Sequence, residues 1–434
     1  MAKTKLDRNQ NSLLIVHMIR MVLELFTSTF LTSHIISLDP DNIFGTGLFN
    51  VAILFISQYV AYIIVYTINS YFVDKSNRVT FLRVGIFVNA CFLIAIVLWG
   101  EIISHWIVFA GAICGISNAF YYSSFNVMKN EVVHRNTLKH FTILTTVITN
   151  IINVIVPVVL GLLIDISSYS TIAIYVVVII VAQFVISFFI RYDKPKGSKL
   201  EMIKYFRYLK DNPEDRKKIK YTYYNALMAG IKTTYKIVII ILTIFAFKTN
   251  LSLGLLSSIF SVITIALLVL YRKFEDNPKT KKLLIYLSVG TLPLLTCLLF
   301  MFYTNKATFV ILNCFLTIAI YFSDYYGDAE RDAIIKNLNK HEFIAEHNLF
   351  HDTIKYIVSI LVYVAFIIVA TFESIDVFKV VLLVMIAICP FKFYMMYKQR
   401  VVRKQFEKEL KEQRQAERLA QKQLEQANSS NDAK

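Results

Sequence analysis

Catalytic and redox motifs are missing from this sequence. It has no Walker phosphate loop, no HExxH, no nucleophile elbow, no zinc-ligand spacing and no CxxC. ATP-driven work by the chain alone, hydrolytic chemistry and metal or thiol redox chemistry therefore lack a residue set to carry them, and no cofactor is expected. The five cysteines, Cys91, Cys114, Cys297, Cys314 and Cys389, all fall inside apolar runs, which argues for buried thiols and against disulfides. Glycine and proline are scarce, at 12 and 7 copies, and beside abundant Ile, Lys, Asn and Tyr this composition suits an AT-rich bacterial genome. Polar surface is scarce too: 56% of the 434 residues are apolar, far more than a soluble protein of this length tolerates.

What is present is a series of apolar runs of about 20 residues, each long enough to cross about 30 Å of hydrocarbon as a helix. They lie near 12–37, 47–73, 81–100, 104–128, 141–166 and 171–191, then 223–247, 251–272, 283–303, 307–329, 346–371 and 376–397. The first follows the short basic leader "MAKTKLDRNQN" but is too long for a signal-peptide core and has no cleavage site, so a retained span is expected. The reading is an all-α membrane protein with twelve transmembrane helices in two six-helix halves. Its parts are an N-terminal half (1–191), a basic cytoplasmic linker (192–222), a C-terminal half (223–397) and a polar helical tail (398–434).

The net charge of +16 follows from loop position, so no nucleic-acid partner is expected. Cations crowd alternate loops: Lys3, Lys5 and Arg8; Lys75, Arg78 and Arg83; Lys129, Arg135 and Lys139; then Arg191 to Lys220, Arg272 to Lys282, and Arg331, Lys336 and Lys340. The opposite ends show only Lys248, Lys306 and Lys379 beside Asp39, Asp41, Glu101, Asp165, Glu373 and Asp376. This bias predicts both termini on the cytoplasmic side of the cell membrane, with Trp99 and Trp106 at the outer interface. In the linker, Leu200, Ile203, Phe206 and Leu209 recur at helical spacing among lysines, which predicts a helix on the inner leaflet ended by Asn212-Pro213. The tail is a solvated extension or a docking helix for a cytoplasmic partner.

Two loops echo each other. "NEVVHRNTLKHF" (130–141) aligns with "RDAIIKNLNKHE" (331–342) at a constant offset of 201 residues, with Asn136, Lys139 and His140 recurring as Asn337, Lys340 and His341. They follow the fourth and tenth spans, equivalent places in a duplicated six-helix unit. With this repeat and the long central linker, the chain resembles the major facilitator superfamily of secondary transporters. That family carries, between spans 2 and 3, a Gly-x3-Asp-(Arg/Lys)-x-Gly-Arg-basic loop that latches the inward-closed state; here the loop is "SYFVDKSNRV". Asp74, Lys75 and Arg78 match that pattern, whereas Ser70, Asn77 and Val79 depart from it. Pro157 and Gly161 in "NVIVPVVLGLLID" weakly resemble the Gly-Pro motif of the antiporter branch. The resemblance implies the twelve-helix fold and alternating-access transport.

Charges inside the spans point to the working site, because a charge at mid-bilayer costs at least about 2.5–3.5 kcal/mol and so faces a cavity or a partner. On the first span Arg20 and Glu24 lie about 12 and 18 Å deep, and on the seventh Lys232 and Lys236 lie about 14 and 20 Å deep. Each pair is spaced i,i+4, so His17, Arg20, Glu24 and Ser28 form one stripe and Asn225, Ala229, Lys232 and Lys236 the other. If both stripes line one hollow, its surplus of two positive charges suits a carboxylate or phosphate; otherwise the charges are structural pairs. Asn118, Tyr122 and Asn153, on spans 4 and 5, either hydrogen-bond that solute or glue helices together, and Tyr59, Tyr62 and Tyr66 on span 2 share the ambiguity. Asp324, Asp328, His347, His351, Asp352 and Lys355, on spans 10 and 11, form a second cluster, either an inner gate or a proton-linked group.

The leading expectation is thus a secondary transporter of a small anionic solute within a lipid bilayer, open to proton coupling. The alternatives are an exporter or flippase of an amphipathic lipid or drug, and a non-transporting sensor or scaffold.

Overall fold

A computed structural model describes residues 6–72, 78–132, 135–191, 201–273, 286–320, 343–388 and scattered positions between 390 and 419. Asp74, Lys75, Asp324, Asp328, most side chains of the two echoing loops and the end of the tail lie outside those residues.

The described residues are helical apart from short turns and connections. The first six helices are α1 (Arg8–Ser37, with a π-helical turn at Phe26–Phe30), α2 (Leu48–Phe72), α3 (Arg78–Trp99), α4 (Ile107–Val132), α5 (Arg135–Ile166) and α6 (Tyr169–Ser187). A short helix, α7 (Met202–Asp211), precedes α8 (Pro213–Phe247) and α9 (Asn250–Lys273). After these come α10 (Leu292–Phe302), α11 (Lys306–Ile320), α12 (Ile344–Ala370) and α13 (Ile375–Ala387). Eight helical stretches are long and apolar enough to cross a membrane, and one of them, Arg78–Asn126, is α3 and α4 joined by a 3-10 turn. The helices at the ninth, tenth and twelfth predicted spans are shorter within the described residues.

Two boundaries differ from the sequence reading for clear reasons. The seventh membrane helix begins at Pro213, well before Tyr223, because proline is suited to a first helical turn and Glu214 and Asp215 complement the positive helix end. In α7 the expected apolar stripe splits: Leu209 is buried, but Ile203 is 78% and Phe206 43% exposed. Tyr205 takes the inward position instead, because its hydroxyl finds polar partners at the ends of α8 and α12.

Helices α1 to α6 pack as one group, with α2 and α3 against α4, and α1 and α3 against α6. Gln183 of α6 donates to the Val16 carbonyl at 2.8 Å, which gives its buried amide nitrogen a partner the lipid could not supply. Asn9 and Arg191 exchange hydrogen bonds at 2.7 and 3.0 Å, so α1 starts on the face where α6 ends; this is the proximal face. Three seams join the halves: α5 against α9, α2 against α12, and the distal part of α1 against α8. Counting spans, the fifth meets the eighth and the second meets the eleventh, pairs that a six-span duplication interchanges.

At the α5–α9 seam a Cβ on Gly254 would collide with the Pro157 carbonyl oxygen, so glycine is what permits backbone contact there. Replacing Gly254 by leucine should cost about 1–3 kcal/mol by overpacking, read as a lower melting point of the detergent-solubilised protein; an unchanged melting point would show that the seam is loose. The distal end of the same seam is latched by Asp165. Its carboxylate accepts from the Asn250 amide at 3.1 Å, the Asn250 side chain at 3.0 Å and the Leu251 amide at 2.8 Å, capping α9 from the other half.

Candidate functional site

The first-span charges are held by α4. Arg20 Nε lies 3.4 Å from Glu24 Oε1, as the i,i+4 spacing allows. Arg20 Nη1 is 3.5 Å from Ser117 Oγ, Nη2 donates to Asn118 Oδ1, and the guanidinium lies over the Tyr121 ring, 5.0 Å from its centroid. Tyr122 donates its hydroxyl to Glu24. Ser117 with Tyr121 and Asn118 with Tyr122 are themselves i,i+4 pairs, so one face of α4 meets the α1 pair rung by rung.

This arrangement separates the predicted stripe into two environments. Arg20 is 2% exposed and Glu24 is 30% exposed. His17 is also sealed, stacked on Phe125 at 4.1 Å and 3.5 Å from the Tyr121 hydroxyl. His17 and Arg20 therefore face α4, where rings and amides satisfy them, while Glu24 and Ser28 stay accessible.

On the other side of the α1–α8 seam, Lys236 is exposed to solvent although protein surrounds it. It lies within electrostatic range of Glu24 from the first half and of Lys355 from α12. Lys232 is one turn nearer the proximal face and partly exposed. Lys355 joins this neighbourhood because α12 rides directly on α8. A Cβ on Gly230 would collide with the Lys355 carbonyl oxygen, and Ser359 donates to the Gly230 carbonyl at 2.9 Å. The sequence reading groups Lys355 and Asp352 with Asp324 and Asp328 as a gate or proton-linked cluster; Asp324 and Asp328 lie outside the described residues, and Lys355 lies within electrostatic range of Lys236.

Tyrosines close the seam around these charges. Lys355 Nζ is 4.7 Å from the Tyr356 ring centroid, and that ring packs on Tyr59 at 4.8 Å and Tyr62 at 4.6 Å. Toward the proximal face, Asp352 lies within electrostatic range of Tyr62 and Tyr66, and its Oδ1 is 3.3 Å from His351 Nδ1. Arg78, at the start of α3, is buried. Asn153 is half-buried on α5, next to Val154, whose carbonyl accepts from Ser258 of α9. The sequence pointed to Arg20, Glu24, Asn118, Tyr121 and Tyr122, which the fold unites, but it missed Tyr356 and Ser117. Only their spacing relative to Lys355, Asn118 and Tyr122 could have suggested them.

The arrangement sets a carboxylate of one half, Glu24, within electrostatic range of a cation of the other, Lys236, which has Lys355 nearby. Among the described residues, no group of three His, Cys, Asp or Glu side chains is placed to hold a metal ion. The family model described as Major Facilitator Superfamily matches residues 13–325. The chain belongs to this superfamily.

Solved structures of transporters share its fold at low identity. A bacterial homologue of the iron transporter ferroportin, in an inward-facing state, is 12% identical with a TM-score of 0.64, covering 93% of this chain and 99% of that one. The nucleoside transporter NupG, solved as a point mutant, is 11% identical with a TM-score of 0.65, covering 91% and 99%. A D-xylose-proton symporter is 11% identical with a TM-score of 0.62, covering 89% and 97%. Among curated proteins, "Uncharacterized protein YqgE" of Bacillus subtilis (strain 168) is 25% identical over 186 residues, 42% of each chain. The chain thus aligns with under half of that relative's length. As a Major Facilitator Superfamily protein it is a multi-pass membrane protein with a transporter fold.

Proposed function

We propose that the protein carries a small anionic solute across the cell membrane by alternating access, with both termini in the cytoplasm. The observation that supports this reading is that Lys236, exposed to solvent on α8, lies within electrostatic range of Lys355 of its own half and of Glu24 of the other. Two ammonium groups in a low-dielectric hollow attract a carboxylate or phosphate strongly, and Glu24 is the internal counter-charge such an anion would replace. Arg20 does not serve the solute directly; it fixes Glu24. Asn118 and Tyr122 orient the same carboxylate, and Lys232, Asn153 and the tyrosine seam contact the body of the solute. His351 and Asp352, with Asp74, Lys75, Arg78, Asp324 and Asp328, form the proximal gate and the route for a coupled proton.

The solved neighbours carry iron, nucleosides and D-xylose by name, chemistries that differ from one another. A thermal-stability screen of the purified protein separates them. Small carboxylates or organic phosphates should raise the melting point, by mass action at about 2.7 kcal/mol when the ligand is at 100 times its Kd. A response to uncharged nucleosides, sugars or divalent metal alone would overturn the anion reading. The Tyr59–Tyr62–Tyr356 ring cluster favours a second reading, export of an amphipathic lipid or drug with a flat apolar body. Loss of the Lys236 charge separates the two, since only an anion carrier depends on it.

A further inference from the structure

The short helix α7 is amphipathic in an unusual sense: its exposed arc mixes apolar and basic side chains. Ile203 and Phe206 are 78% and 43% exposed, and Arg207 and Lys210 on the same arc are exposed as well. Lys204 lies at the edge, 65% exposed and paired with Glu201 at 2.6 Å. Protruding apolar side chains flanked by cations match the boundary where acyl chains meet negatively charged headgroups, because the apolar groups enter the chains while the cations remain at phosphate level.

The opposite face of α7 is fastened to the two helices that carry Lys236 and Lys355. The Glu201 amide donates to Glu346 Oε1 of α12 at 2.9 Å. Tyr205, 1% exposed, reaches His347 Nδ1 of α12 at 3.0 Å and meets the Tyr223 hydroxyl of α8. Thr222 of α8 gives its hydroxyl proton to the Ile219 carbonyl at 2.7 Å, so its oxygen accepts from His347 Nε2, 3.4 Å away. With a neutral imidazole this geometry puts the His347 proton on Nε2 and leaves Nδ1 to accept from Tyr205. A single polar chain runs from α7 through α12 into α8.

We propose that α7 docks on anionic phospholipid through the Ile203, Phe206, Arg207 and Lys210 arc, and that the Tyr205–His347 link transmits this docking to the proximal ends of α8 and α12. The inference is independent of the solute carried.

The test uses the full-length protein with an indole introduced by Ile203→Trp on a Trp99→Phe/Trp106→Phe background. It is reconstituted in phosphatidylcholine vesicles containing brominated phosphatidylcholine or an equal share of brominated phosphatidylglycerol. The expected result is stronger quenching by the anionic brominated lipid, with a preference on the order of tenfold that collapses in R207Q/K210Q. Equal quenching by both lipids, or none by either, overturns the docking. A second measurement addresses the link: phosphatidylglycerol should raise the unfolding temperature of the parent protein in vesicles. Tyr205→Phe should abolish that rise while keeping the quenching preference. If Tyr205→Phe leaves the rise intact, transmission through Tyr205 is wrong.

Discussion

Replacing Lys236 by glutamine should lower uptake of the anionic solute roughly 10- to 150-fold in proteoliposomes, with insertion and folding unchanged. Lys236 is the accessible cation of the α1–α8 seam, and a hydrogen bond to a charged group contributes about 1.5–3 kcal/mol, which sets that range. Folding should survive because glutamine in the hollow leaves no buried charge without a partner. Lys236→Arg should recover part of the loss, since the charge returns with a different shape. Lys355→Gln should weaken uptake less, because Lys355 also engages the Tyr356 ring and its removal leaves Lys236 in place. An amphipathic exporter behaves differently: its transport would tolerate Lys236→Gln and respond instead to loss of Tyr59, Tyr62 or Tyr356. Anion uptake undiminished in Lys236→Gln would remove the electrostatic basis of the proposal.

The second large effect is on stability and turns on an asymmetry. Arg20 and Glu24 form one ion pair, yet Arg20 is 2% exposed and Glu24 is 30% exposed. Glu24→Leu strands a buried guanidinium and should destabilise the protein by about 3–5 kcal/mol. Arg20→Met leaves a carboxylate that still touches the hollow and still lies near Lys236, so it should cost less than half as much. The double variant should regain much of what Glu24→Leu loses, because the stranded charge is gone too. Thermal unfolding of the three proteins in one detergent provides the comparison. Equal losses in the two single variants would show that Arg20 is not sealed against α4. This measurement needs no solute, so it tests the site's architecture independently of the cargo.

Much of the molecule was legible because lipid imposes simple rules. The lengths of the apolar runs mark the helices, and the rarity of charges inside them marks the working region. Glu24 and Lys236 stand out for that reason alone, as does the pairing of Arg20 with Glu24 at i,i+4. The relation between helices was less legible. Nothing in the spacing of His17, Arg20, Glu24 and Ser28 says that the first two turn toward α4 and the last two toward the hollow. That division depends on Ser117, Asn118, Tyr121 and Phe125 supplying partners from a helix a hundred residues away. The Ile203–Phe206–Leu209 stripe was legible only as a face, since apolar periodicity does not say that Leu209 turns to protein while Ile203 and Phe206 stay exposed.

By itself, then, the sequence determined the solvent: 56% apolar residues in spans of membrane length leave no other place for this chain. It also determined which side chains are too costly to sit in lipid without a purpose. Only the tertiary structure decided which charges share a space. Gly230 brings α12 onto α8 and carries Lys355 toward Lys236, and the approach of α1 to α8 sets Glu24 within electrostatic range of Lys236. Electrostatic attraction acts through distance in three dimensions, and spacing along a single helix does not specify distance between helices.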